Sequence, residues 1–294
     1  GGGGGGGEGC PFMRVEDSLA DRKGPELVDL ATPGKASKST SKRNKRRQKK
    51  PSPAMPSLVQ RLFGTCREVF SDGGAGAVPS PADVERLRSV LDPMRPSDVG
   101  LTPNMPYFRN VGNTGRPPVT YLHLYECDKF SIGIFCLPQS AVIPLHNHPG
   151  MTVFSKILFG SVHIKSYDWV DGPEQANESL YFQPAGMRLA RVKTNTAFMA
   201  PCESSILYPT TGGNMHCFHA LSSCAVLDVL GPPYSDIEGR HCTYYNDFPF
   251  ANFSGDSVPA AGDDGVYAWL KEREKPDDFC VVGAQYMGPR IVDN

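Results

Sequence analysis

The sequence predicts an all-β fold, an antiparallel sandwich or small barrel of the jelly-roll type with N-terminal helices packed outside it. Three observations carry this. Short β-branched or aromatic runs recur from Val119 onward, separated by Gly, Pro, Asp or Asn turns. Two amphipathic stretches precede them, between Ser57 and Asp92. No internal repeat and no alternation of strands with helices points to another class.

The first helix is marked by Leu58, Val59, Leu62, Phe63, Cys66, Val69 and Phe70, apolar residues at intervals of three and four that form one stripe, and Gly73-Gly74 ends it. The second opens on Ser80-Pro81-Ala-Asp83, a capping residue with proline in the first turn. It continues through Val84, Leu87, Val90 and Leu91 and stops at Asp92-Pro93. Stripes of this kind are the ordinary signature of a packed surface helix. Strands follow at 119–125, 130–135, 141–145, 153–158, 162–167, 205–208 and 225–230, each bounded by turn residues.

Residues 1–54 form a Gly-rich and basic leader with few aromatics, a composition that cannot bury enough apolar area to offset ordering entropy, so disorder is expected there. The opening run of seven glycines has no initiator methionine, which suggests a fragment, an upstream region or a low-complexity extension, with Met13 an alternative start. Residues 55–294 form the single folded domain. Lys35–Lys50 carries nine of the 30 basic residues and no acid, which leaves 21 basic against 31 acidic residues elsewhere, about −10. A basic tail on an acidic body is not a nucleic-acid-binding fold throughout, and no direct nucleic-acid contact is expected of the domain. Lys42–Lys50 reads either as a nuclear-localisation or nucleic-acid patch or as a solvated charge run. Nine cysteines in no CxxC pair and no framework spacing fit reduced thiols. No run of 18 apolar residues and no hydrophobic signal segment is present, so no membrane partner is expected.

Chemistry is concentrated in Pro144-Leu-His146-Asn-His148-Pro-Gly150 and, far downstream, Gly212-Gly213-Asn-Met-His216. On a strand, i and i+2 share a face, so His146 and His148 would point inward together and His216 from a neighbouring strand would complete a metal site. Three neutral imidazoles hold a divalent first-row metal and leave positions open for reaction. Asp228 is the other anomaly. It interrupts the apolar run Ala225–Leu230, an expensive place for a carboxylate, and reads as a pocket acid that orients a substrate amine or a metal ligand, or else as an aspartate satisfied by backbone bonds. His219, His163, His123 and His241 are placed by strand parity on outward faces and read as non-ligands.

Histidines so spaced on a β scaffold resemble the cupin superfamily and its double-stranded jelly-roll barrel. His146, His148 and Gly160 match its first motif, whereas Met151-Thr-Val-Phe154 stands where a glutamate is usual, so three histidines replace the commoner three histidines and one glutamate. Pro144–Met151, Gly160–Trp169, Gly213–His216, Leu227–Tyr234 and Gly239–Tyr244 together resemble the plant cysteine oxidases, relatives of animal cysteamine dioxygenase, over roughly Ser57 to the end. The resemblance implies an iron(II)-dependent thiol dioxygenase, with Fe(2+) on His146, His148 and His216, that uses O2 to oxidise an N-terminal cysteine of target proteins to the sulfinic acid. Ethylene-response transcription factors are the implied partners. Oxidation marks them for arginylation and degradation in an N-degron pathway, which makes the enzyme an oxygen sensor in nucleus and cytoplasm, here expected as a monomer. Tyr234 resembles the family's pocket-mouth tyrosine, and Cys242 with Tyr244 resembles a pair that is cross-linked in some thiol dioxygenases. Two rivals stay open: a cupin oxidoreductase acting on another small molecule with another metal, and a nuclear binding protein on a non-catalytic scaffold.

Overall fold

Both helices begin on a serine that satisfies an orphan backbone donor. Ser57 Oγ accepts from Gln60 N–H at 3.1 Å at the start of α1 (Leu58–Val69). Ser80 Oγ accepts from Asp83 N–H at 3.1 Å at the start of α2 (Pro81–Leu91), where Pro81 sits in the first turn. Val59, Leu62, Phe63 and Cys66 of α1 and Leu87, Val90 and Leu91 of α2 are buried, so the stripes read from the sequence are the packing faces. They share one core with Leu122, Ile132, Ile134, Phe154, Leu227 and Val229 of a sheet. Each such Leu or Phe contributes about 1.5–3 kcal/mol on burial, and the helices are thereby fastened to the outside of the β structure.

This computed structural model describes residues 55–109, 115–170, 184–253 and 265–293. The leader expected at 1–54 lies outside the described residues. In chain order the strands are β1 (Val119–Glu126), β2 (Ser131–Leu137), β3 (Val142–His146), β4 (Thr152–Phe159), β5 (Ser161–Trp169), β6 (Met187–Met199), β7 (Ser205–Leu207), β8 (Met215–Ala220), β9 (Cys224–Gly231), β10 (Tyr244–Pro249), β11 (Tyr267–Arg273) and β12 (Val281–Ala284). They form a six-stranded sheet, β12-β1-β2-β9-β4-β7, and a closed ring, β10-β11-β6-β5-β8-β3. The all-β architecture with external helices is therefore as expected.

The helix-bearing sheet is buried on both faces, and β9 shows how. Ala225, Leu227 and Val229 join the core under the helices, while Val226 and Leu230 join the interior core. Asp228 has the parity of the interior pair. β6, β10, β11 and β12 are not apparent from the sequence. β6 alternates polar residues along an exposed face, and β12 is a short strand that pairs parallel with β1 at the sheet edge. The ring closes where β10 meets β3, through the single register pair Tyr244 and His146.

At the end of β9 the backbone of Gly231 lies against Phe70, and a methyl there would come within 2.2 Å of the ring. Gly231→Ala is expected to cost about 1–3 kcal/mol through displacement of that ring, measured as a lower urea midpoint at unchanged m-value. Gly64→Ala, in α1 with nothing within 4 Å, is expected instead to stabilise by roughly 0.5–1 kcal/mol.

Candidate metal centre

β3 delivers His146 at its last residue, in register with His216 of β8 on one side and Tyr244 of β10 on the other. The strand ends there. The expectation that His146 and His148 share strand parity is thus corrected, because His148 stands in the turn that follows, closed by Gly150 at φ 65°. The turn nevertheless brings the second ring to the first. The ligand nitrogens of His146, His148 and His216 all lie within 4.8 Å of one another, and the ring centroids are 4.7, 4.9 and 4.6 Å apart.

A clasp holds His148 in place of a strand. Asn214, two residues before His216, accepts from His148 N–H through Oδ1 at 3.1 Å and donates through Nδ2 to His148 O at 2.8 Å and Tyr208 O at 2.9 Å. Its own carbonyl takes the proton of His148 Nδ1 at 2.7 Å. Asp168 Oδ1 in turn accepts from the N–H groups of Gly213 and Asn214 at 2.8 and 3.0 Å. His146 Nδ1 meets Pro144 O at 2.7 Å. A carbonyl only accepts, so Nδ1 carries the proton in both rings and Nε2 keeps its lone pair for a cation. Burial holds the rings neutral: it lowers His146 to about 4, and it lowers His148 and His216 well below the usual imidazole range, with repulsion between the rings adding to it. Three converging neutral nitrogens with no carboxylate among them suit a divalent first-row metal.

On the open side lies a cavity lined by the three histidines with Tyr121, Asp228 and Tyr234 among others. Asp228 is 6% exposed. Burial pushes its carboxyl up to about 7 against a partial offset from the Ser155 hydroxyl that hydrogen-bonds to it, and Oδ1 has no partner. Its neighbour across the sheet is Gly133, where a side chain would collide with the Tyr121 hydroxyl. Tyr234 is buried and donates to Asn147 O at 2.7 Å. Cys242 lies just before β10, beside the Tyr244 and Tyr234 hydroxyls. Burial pushes its thiol up to about 12, so it stays protonated.

Asn214, Asp168 and Asn147 are supporting residues that the sequence reading passes over. Asn147 Oδ1 accepts from Thr243 N–H at 2.8 Å and ties the histidine turn to β10. The sole signal for Asn214 is its place between a Gly-Gly turn and His216. Of the remaining histidines, His219 is exposed and paired with His163, so both face outward, and exposed His241 bonds to Asp236 at 2.8 Å. His123 is a non-ligand for a reason other than outward parity. Leu122 and Leu124 face the helices, so His123 has interior parity with Val119 and Tyr121, yet it is exposed and outside the triad. The eight described cysteines are all free thiols, and no described helix is long and apolar enough to cross a membrane.

Asn214→Ala removes the clasp but no ligand. It is expected to weaken metal affinity about 10- to 100-fold, measured by competition with a chromophoric chelator. For Asp228, the folded value near 7 exceeds the ordinary 3.8. The folded chain therefore holds a proton the unfolded chain releases, and the stability this gives is complete below the ordinary value and lost as pH rises through about 7. Metal-free Asp228→Asn should melt above the parent at pH 8 and level with it at pH 4.

Comparison with known proteins gives one family match, to PCO_ADO, over residues 90–291. The chain is 51% identical to plant cysteine oxidase 2 of Arabidopsis thaliana over 282 residues, covering 95% of this chain and 99% of the relative. It is 57% identical to plant cysteine oxidase 1 of the same plant over 84% of this chain and 85% of the relative. Mouse 2-aminoethanethiol dioxygenase is 32% identical over 81% of this chain and 98% of its own length. Among solved structures, an RmlC-like cupin from Desulfovibrio desulfuricans covers 42% of this chain and 95% of its own length, at 16% identity and a TM-score of 0.26. With the family match spanning more than half of its residues and both plant relatives above half identity, the chain belongs to the PCO_ADO family.

Proposed function

We propose that the chain is an iron(II)-dependent thiol dioxygenase that converts the N-terminal cysteine of target proteins to its sulfinic acid with O2. The observation that carries the reading is the neutral three-histidine cluster facing a cavity that also holds a buried, partly unpaired carboxylate. Iron(II) held by His146, His148 and His216 supplies the electronic coupling that lets dioxygen react with a thiolate. The balance is RSH + O2 to RSO2H: sulfur gives up four electrons and dioxygen takes four, both oxygen atoms ending on sulfur.

The chain's own residues place the substrate. Asp228, with Oδ1 free to accept, is the group for the substrate amine, and an N-terminal cysteine is selected because only there do amine and thiol stand close enough to enter together. Tyr234, fixed through its bond to Asn147 O, walls the cavity. Cys242, a protonated thiol between the Tyr234 and Tyr244 hydroxyls, orders that wall. The family match and the names of the plant relatives support this reading. Action on ethylene-response transcription factors, entry of the product into an N-degron pathway, oxygen sensing in nucleus and cytoplasm, and a monomeric state complete it. The basic run Lys42–Lys50 agrees with the nuclear part.

Protein loaded anaerobically with iron(II), given a Cys-initiated peptide and then air, is expected to add about 32 Da to the peptide as two oxygens enter. His216→Ala serves as the blank, and the N-acetylated peptide should not react. Asp228→Asn is expected to lower kcat/KM about 100-fold, in the range of a lost acid–base or positioning group. A peptide of unchanged mass, or one that gains a single oxygen, rejects the proposal.

A further inference from the structure

The sandwich holds a second pocket, which the proposed reaction leaves unused. It lies across His216 and Phe218 from the first, and these are the two residues that both linings share. Four hydroxyls, those of Ser155, Ser166, Thr194 and Ser205, line the second chamber among apolar side chains that include Val153, Ile164, Phe198 and Leu207. Gly213 gives it depth, since a methyl there would come within 2.4 Å of Ser166 Oγ. Ser155 and Ser166 are buried, Thr194 is half-buried and Ser205 is exposed. The chamber thus runs from the surface at β6 and β7 to the metal centre.

Register ties it to the substrate cavity. Asp228 pairs with Ser155 and Ser155 with Ser205, so β9, β4 and β7 carry one polar row on the interior face. The rows on either side are apolar: Leu230, Val153 and Leu207 on one, and Val226 with Ile157 on the other. The Ser155 hydroxyl hydrogen-bonds to the Asp228 carboxylate, which lines the first cavity. A chamber that offers several hydroxyl partners meets the conditions for ordered water.

We propose that this chamber is a water-filled side passage by which protons leave the substrate cavity, through Asp228 and Ser155, while a protein substrate fills the other side. The inference rests on the thiol dioxygenase reading. A cysteine N-terminus arrives as ammonium and thiol, and both groups must shed a proton before their electron pairs can serve a cation, so two protons leave. The sulfinate departs with its amine protonated again, so one proton returns and one is released per turnover. A polypeptide occupying the first cavity excludes bulk water from it, whereas a dipeptide does not.

The test compares a Cys-initiated dipeptide with a small folded protein bearing the same N-terminal cysteine. Thr194→Phe, at the chamber's outer rim, is expected to lower kcat on the protein substrate about tenfold, at the low end for a lost proton-transfer route, with its KM unchanged and the dipeptide rate retained. Ser155→Ala, which also removes a hydrogen bond to Asp228, should slow the protein substrate more than the dipeptide, and Ser155→Thr, which keeps the hydroxyl, should restore both. Independently of turnover, Ser155→Cys in metal-free protein should be labelled by methyl methanethiosulfonate, as read by peptide mass, and Thr194→Phe should slow that labelling. Equal slowing on both substrates, labelling indifferent to Thr194→Phe, or a raised KM for dioxygen, which would make the chamber a gas inlet, overturns the proposal. A parent enzyme inactive on the dipeptide and the protein alike would instead reject the dioxygenase reading.

Discussion

The exchange of hydrogen bonds between Asn214 and His148 is the constraint on which the centre depends. Two segments far apart in sequence must bring three ligands within a few ångströms, and one of the three stands outside any strand. Backbone pairing between β3 and β8 aligns His146 with His216 and says nothing about His148, which has already left the ladder. Asn214 replaces the missing ladder bonds, taking the N–H, the carbonyl and the ring proton of His148 on its amide and its own backbone. Asp168 fixes Asn214 from β5, so a ring in a turn acquires the rigidity of a ring on a sheet. Metal sites of ordinary affinity need this outer layer as much as the ligands themselves.

Around that clasp the protein resolves a conflict between stability and chemistry. A sheet covered by helices on one face and by core on the other has little room for polar groups, yet Asp228 and Ser155 both sit on its interior side, with Gly133 leaving space for Tyr121 beside them. The helices carry the compensating apolar burial. α1 and α2 bury seven side chains between them against the outer face, which permits the inner face to hold a carboxylate that burial alone would disfavour.

Much of this is legible in the sequence, for reasons that differ from element to element. Both helices announce themselves because apolar periodicity, a serine cap and a terminator agree. His146, His148 and His216 stand out because turn residues flank them, and Asp228 because it breaks an apolar run. β6, β10 and β11 do not stand out, since fewer than half of their residues are buried, and the register that joins Ser155 to Asp228 is a property of pairing that no single strand encodes. Parity arguments fail in two instructive places. At His148 the strand has ended, and at His123 both faces of the sheet are apolar, so that the leucines mark the helix side and not the barrel side.

Six strands are joined into a cylinder by one residue pair between β3 and β10, and one member of that pair is His146. A cation gripping His146 together with His216 would hold β3, one side of that seam, to β8 on its other flank. Because a ligand bound only by the native form adds RT ln(1 + [L]/Kd) to its stability, a metal ion held by the three histidines would lengthen the lifetime of the fold as well as supply its chemistry.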